Sequence, residues 1–318
     1  MLHLLFAQVN PRWLIWGGVL AAFLSTFLVI RALQNRLPRD GGRKFAVNGA
    51  LSKGKPRGAG LLFVLAFAVC GVLFAFFSPE YLIYLLLTVG AMLSGYLDDA
   101  SDVPWGEYKK GLIDLVLALA GGFTYLNFNG SQIAIPFTDL TVQLPNWLFI
   151  LLSVVLIWAS INVTNCTDGV DGLSGSLTLV TLGAFYLVCR TVDPHFALLI
   201  GMFMAAILAY QWFNASPSLL MMGDAGSRAM GFFIALAAMK SGSPLLYIPL
   251  ALVMILDGGL GLAKISLKRF LKISILKNTR TPLHDHARKN KGWSDTQVVF
   301  RFVILQVVLC FAVLSLIL

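Results

Sequence analysis

Ten stretches of this chain are apolar over lengths near that of a membrane-spanning helix, and they leave little room for any other architecture. They run over 13–33, 58–77, 80–97, 112–126, 147–163, 173–190, 195–213, 228–240, 244–265 and 298–318. A helix needs about 20 apolar residues to cross the hydrocarbon of a bilayer. In that medium only helices and closed barrels satisfy their backbone groups. The pattern predicts an all-α polytopic membrane protein of ten transmembrane helices, organised as one integral membrane domain over 1–318. Only 12% of residues are charged and 58% are apolar, against about 25% charged in soluble proteins. A soluble domain is therefore excluded. The first run is too long for a signal-peptide core and lacks a small-residue cleavage site, so it is read as a span. Four scattered cysteines (Cys70, Cys166, Cys189, Cys310) form no CxxC pair. They predict reduced, inert thiols.

The basic residues orient the spans. Of 24 lysines and arginines, 21 fall in alternate loops, and only Arg12, Arg190 and Lys240 fall at the opposite ends. Such an excess marks the cytoplasmic side. Both termini are then outside, and the loops 31–57, 98–111, 162–172, 214–228 and 264–300 are inside. The segment "NFNGSQIAIPFTDLTVQLPN" (127–146) lies outside and alternates apolar with polar residues, which predicts a small external β-hairpin. The sequons at Asn162 and Asn165 face the cytoplasm, where they are not glycosylated.

Acidic side chains at membrane depth are costly and point to function. Seven of the fifteen Asp and Glu residues lie in three of the inner loops: Asp98, Asp99, Asp102, Glu107, Asp168, Asp171 and Asp224. "SGYLDDASD" puts two adjacent carboxylates where a span ends, and such neighbours repel unless a cation or proton separates them. "NVTNCTDGVDGL" (162–173) gathers Asn162, Asn165, Asp168 and Asp171. "LLMMGDAGSRAMGF" sets Asp224 between glycines before a span, where a helix N-terminus favours phosphate. Carboxylate and amide oxygens suit magnesium, with manganese as the alternative, rather than zinc. "KNTRTPLHDHARKNKGW" combines His284 and His286 with Arg280, Arg288, Lys289 and Lys291, a set that suits a diphosphate. No Walker A order and no GxSxG signature is present, and "GKPRGAGL" (54–61) is only glycine-rich and basic.

Taken in order, these loops resemble the polyprenyl-phosphate N-acetylhexosamine-1-phosphate transferase superfamily. "GYLDDASD" is similar to its Asp-Asp motif, "NVTNCTDGVDGLSG" to its Asn/Asp-Gly loop, and "FNASPSLLMMGDAGS" to its Met-Gly-Asp-x-Gly-Ser loop. "TPLHDH", "KGW" and "VVFRF" look like the histidine loop and last span of its muramoyl branch. The resemblance implies a magnesium-dependent enzyme of the bacterial plasma membrane, often a homodimer, with its active site facing the cytoplasm and no nucleic-acid partner. It would transfer a phospho-sugar from a UDP-sugar to undecaprenyl phosphate and release UMP. In the muramoyl branch the sugar is N-acetylmuramoyl-pentapeptide and the product is lipid I of peptidoglycan synthesis. The alternative is a UDP-GlcNAc donor.

By the same resemblance, Asn165 and Asp224 would hold the metal. Asp98 and Asp99 would handle the lipid phosphate and, with Asp168 and Asp171, form the catalytic set. Lys55, Asn162, Asn214, Arg280, His284 and His286 would bind substrate. The chain departs from the muramoyl pattern at several points. His-Asp-His replaces a triple histidine, Arg57-Gly58-Ala59 replaces Thr-Met-Gly, and Asp102 stands in place of lysine. Arg228 replaces leucine, and the lysine usually found beyond "KGLI" is missing, since "DLVL" follows. An ion-coupled transporter is the reading from a different class. It would place its acids near the bilayer midplane, whereas these sit at span ends.

Overall fold

Each of the ten apolar runs becomes helical. In the computed structural model, which describes residues 11–42, 52–101, 103 and 105–318, the order is α1 (Pro11–Leu33), α2 (Gly60–Phe74), α3 (Pro79–Asp99), α4 (Glu107–Asn129), α5 (Asn146–Thr167), α6 (Leu173–Val192), α7 (Pro194–Asn214) and α8 (Gly223–Lys240). A bent pair, α9 (Pro244–Leu250) and α10 (Leu252–Leu271), precedes the short α11 (Leu283–Lys291) and the final α12 (Asp295–Ile317). Asp102, Arg43 and Lys44, which belong to the loops read above, lie outside the described residues.

Among the described residues seven helices are long and apolar enough to cross a membrane, or eight if the bent pair is one span. The two runs that fall short do so for clear reasons. α2 has only 15 residues. α8 carries Asp224, Arg228 and Lys240 in 18 residues. Yet α8 is the centre of the bundle, because every one of its residues except Asp224 is buried. Its charges are sheltered by protein rather than facing lipid, as charged residues within membrane helices usually are. Phe67, Phe196, Phe203 and Phe233 pack ring against ring around its middle.

The expected hairpin forms between α4 and α5. Strands β1 (Gln132–Ala134) and β2 (Thr141–Gln143) pair antiparallel, with Ile133 opposite Val142. It lies at the end of the bundle where α3 and α5 begin and α4 and α8 finish. The opposite end gathers the finish of α3, α5 and α7 with the start of α4, α6 and α8.

The run 244–265 is not one straight helix. It bends by 70° between α9 and α10, and Pro249 removes a backbone donor just before the break. A bend at this depth frees backbone groups that must find partners. Gln306 of α12 supplies them: its Oε1 accepts from the Val253 amide at 3.0 Å, and its Nε2 donates to the Leu250 carbonyl. All four cysteines are free thiols, as expected.

Candidate active site

The last turn of α3 and the first turn of α8 meet at the acidic end. They approach closely because α3 has glycine at the crossing: a side chain on Gly95 would collide with the backbone of Asp224 and Ala225. The contact brings Asp98, Asp99 and Asp224 together, with one carboxylate oxygen of each within 4.8 Å of the others. Three carboxylates at this separation repel strongly in a poorly solvated site. Two cations hold them. Arg57 Nη2 lies 2.7 Å from Asp99 and 3.7 Å from Asp224, and Nη1 lies 3.6 Å from Asp40. Lys110 pairs with Asp98 and lies 3.6 Å from Asp224. The Asp99 side chain is 1% exposed, and neither of its oxygens accepts a well-directed hydrogen bond.

Arg57 is placed by backbone pairing. The segment after Ser52 is tied to the approach to α8 by Met221 N–H to Pro56 O (2.8 Å), Ala59 N–H to Met221 O (3.1 Å) and Gly60 N–H to Met222 O (3.0 Å). The glycine-rich, basic "GKPRGAGL" therefore acts as a strap that delivers one guanidinium to three carboxylates.

A cavity of about 410 Å³ opens beside this cluster. Its polar end holds Asp224, Asn165, Asn162, Lys110, Asp114 and Arg228. Its other end is lined by Trp158 of α5 and by Leu262, Ile265 and Phe270 of α10, with Ser266 and Arg269 of α10 beside them, so its wall towards α10 is largely apolar. Asn165 donates to Ser227 Oγ at 3.0 Å. Asn162 lies 3.5 Å from Asp114 and donates to the Trp158 carbonyl at 2.8 Å.

The remaining expected residues lie apart from the cluster. Asp168 follows the last residue of α5. Asp171 lies 3.4 Å from Lys55 Nζ and accepts from the Ser218 amide at 3.2 Å, while Lys55 also donates to Ser218 Oγ at 2.9 Å. Asn214 is buried, and its amide bonds the Gly172 N–H and the Leu220 carbonyl. It splices two loops. His284 is also buried. Its backbone N–H and ring Nδ1 both engage the Asp257 carboxylate, at 2.7 and 2.8 Å. Its Nε2 faces Gly169, a position where any side chain would strike the ring. His286 Nδ1 accepts from the Arg280 amide at 3.3 Å, and Arg280 itself is exposed. Arg288 is tied to Asp295 at 2.8 Å and Asp285 at 3.7 Å.

This arrangement can be compared with known proteins. A family model, "Glycosyl transferase family 4", matches residues 81–242. A phospho-N-acetylmuramoyl-pentapeptide-transferase of Treponema pallidum (strain Nichols) is 42% identical, over 93% of this chain and 87% of its own. The chain belongs to glycosyl transferase family 4. Relatives of the same name occur in Dictyoglomus thermophilum, at 30% identity over 80% of this chain and 81% of theirs, and in Clostridioides difficile (strain 630), at 29% over the same shares.

In this family-4 chain, reading the sequence alone missed the roles of Arg57, Lys110 and Asp257. Asp257 carried a signal: it is an acid inside an otherwise apolar run, "MILDGGLG". Arg57 and Lys110 carried none beyond their charge. Their partners lie on other helices, at sequence separations that no spacing rule connects.

Proposed function

We propose that the protein transfers phospho-N-acetylmuramoyl-pentapeptide from its UDP-activated form to undecaprenyl phosphate, giving lipid I and UMP for peptidoglycan synthesis. The observation that carries this reading is the cavity with two chemistries. Carboxylates and cations stand at one end and a largely apolar wall at the other, which suits a phosphate on a hydrocarbon tail. The relatives' shared name supplies the sugar. On this reading all ten helical runs cross a bacterial plasma membrane as one domain, with both termini outside. The basic loops then set the acidic end in the cytoplasm, where the nucleotide donor is found. A homodimer is compatible with the apolar outer faces of the helices.

The residues present fit a divalent cation. Asp98, Asp99 and Asp224 are an all-oxygen donor set, and the buried Asp99 carboxylate accepts no well-directed hydrogen bond. Oxygen donors of this kind select magnesium or manganese. Asp224, with Asn165 beside it in the cavity, and the Asp-Asp pair would hold the ion. When bound, the ion neutralises charge on the transferring phosphates.

The chain's own groups do the rest. Lys110 at the cavity's polar end, and Arg57 among the carboxylates of the cluster, supply positive charge that draws in both phosphates. Asp98, at the end of α3, receives any proton remaining on the acceptor phosphate. The acceptor oxygen then attacks the β-phosphorus of the donor. The bond from that phosphorus to the bridging oxygen breaks, and UMP leaves with the oxygen. Phosphoryl transfer of this kind depends mainly on positioning and charge neutralisation. Asp168, Asp171, Lys55, Arg280 and the α11 residues His284 and His286 belong to the loops that carry the remaining polar groups of the acidic end. We assign them to the donor, with Asn162 and Asn214 ordering the loops between.

Purified protein in detergent should release UMP from UDP-N-acetylmuramoyl-pentapeptide only when undecaprenyl phosphate is present, and should stop when EDTA is added. UMP release from UDP-GlcNAc at a comparable rate would overturn the sugar assignment. Release that persists in EDTA would overturn the metal.

A further inference from the structure

The polar side chains around the cavity stand in two layers. The first contains Asp98 on α3, Lys110 on α4 and Asp224 on α8. One helical turn further into the bundle, each helix carries a second polar residue: Ser94, Asp114 and Arg228. A four-residue step advances about 6 Å along a helix and stays on the same face. The deeper layer is joined within itself. Arg228 Nε donates to Ser94 Oγ at 3.2 Å, and its Nη2 pairs with Asp114. The side chains of Arg228 and Asp114 are only 6% and 2% exposed.

A buried ion pair is a poor source of stability, because apolar residues of similar volume usually do as well. Placed at membrane depth, it points to function instead. The upper carboxylates do not need it, since Arg57 and Lys110 already pair with them. Two nitrogens of Arg228 are committed. Its Nη1 has no protein partner among the described residues, and the side chain lines the cavity.

We propose that Arg228 binds the phosphate of the lipid acceptor, with Asp114 and Ser94 orienting its guanidinium. This rests on the acceptor-dependent transfer read above. The acceptor phosphate carries up to two negative charges and comes to the polar end of the cavity, while its hydrocarbon tail lies along the apolar wall. Lys110 meets it from the first layer and Arg228 from the second. A planar guanidinium held by a carboxylate loses little freedom on binding a phosphate. Arg228 and Asp224 share one buried helix, so the distance from the acceptor to the carboxylate cluster is fixed by α8 itself. The donor, which is hydrophilic, has no need of a cation this deep.

The test compares wild type with the Asp114→Leu/Arg228→Leu double variant, which removes the pair together, and with Arg228→Lys. Undecaprenyl phosphate binding is measured directly without donor, alongside KM for each substrate. In the double variant the acceptor Kd and KM should rise about tenfold or more, the effect of losing a charged hydrogen-bond donor, while the donor KM changes little. Arg228→Lys should recover part of the loss. Unchanged acceptor binding, or an equal rise in both KM values, would overturn the assignment. If the double variant does not fold, Arg228→Gln gives the same comparison. A wild type without acceptor-dependent UMP release would remove the functional reading itself, and Arg228's role with it.

Discussion

The two ends of the bundle carry ion clusters built from the same helices but finished differently. At the hairpin end Lys240, closing α8, lies 3.0 Å from Glu80, 2.8 Å from Asp193 and 2.8 Å from Asn129 Oδ1. Glu80 Oε1 also accepts from Tyr84 at 3.0 Å and Asn129 at 2.6 Å. Asp193 accepts from Tyr81 at 2.8 Å and from the Phe196 amide at 3.0 Å. This cluster is closed: one cation serves two carboxylates, each with neutral donors besides. At the acidic end several ion contacts are long, at 3.6–3.7 Å, the buried Asp99 has no well-directed donor, and a cavity lies beside the cluster. A satisfied network holds helices together. An unfinished one keeps charge available for a ligand. The difference teaches that burial of charge does not by itself mark a reactive site; the count of unused acceptors does.

The largest effect that would break this contrast concerns Lys240. Lys240→Met leaves the buried Glu80 and the half-buried Asp193 without their cation, which should cost about 3 kcal/mol of stability. Thermal unfolding in detergent checks it, and turnover per folded molecule should stay as in wild type. Loss of turnover with stability intact would mean that the hairpin end serves the chemistry. At the other end Asp224→Asn should behave in reverse. Turnover should fall about a hundredfold or more while unfolding moves little, because the change relieves repulsion among three acids. A variant that retains activity at low magnesium would show that Asp224 is not needed for the metal.

The smallest effect is in the acid limb of stability. Burial alone would raise the Asp193 carboxyl, but Lys240, the Phe196 amide and the Tyr81 hydroxyl together hold it below the usual carboxylate range. A carboxyl with a lowered folded value adds stability that is present above its unfolded value of about 3.9. It is lost as the pH falls through the folded value. Asp193→Asn should therefore lower stability near neutral pH and make the loss between about pH 5 and 3 shallower. A denaturation series across that range decides it; parallel curves for both proteins would refute the linkage.

Much of the acidic end was legible in the sequence. Asp98, Asp99 and Asp224 stood out because carboxylates at span ends are expensive, and the hairpin because its period changes from helical to alternating. The helix packing behind them was not legible. Arg228 read only as a replacement for leucine, and Asp114 only as the start of "DLVL" where a lysine is usual, until their ion pair joined α4 to α8. Lys240 read as a lone basic residue on the wrong side until Glu80 and Asp193 were seen around it. Asn214 and His284 read as substrate ligands; both are buried, and their bonds to Gly172, Leu220 and Asp257 could not be foreseen from spacing. Local pattern reports what a residue costs where it sits; only packing reports who meets that cost.

The splice at Gln306 has a mechanical consequence. A single amide bridges the break between α9 and α10, donating on one side and accepting on the other. Because both bonds come from one amide group, a pivot of the two helix halves strains them together. A large change in the elbow gives them up in a medium with no water to replace them. The segment carrying Leu262, Ile265 and Phe270 thus extends from an elbow braced by α12. A lipid chain that enters beside it must adapt its own path to the wall.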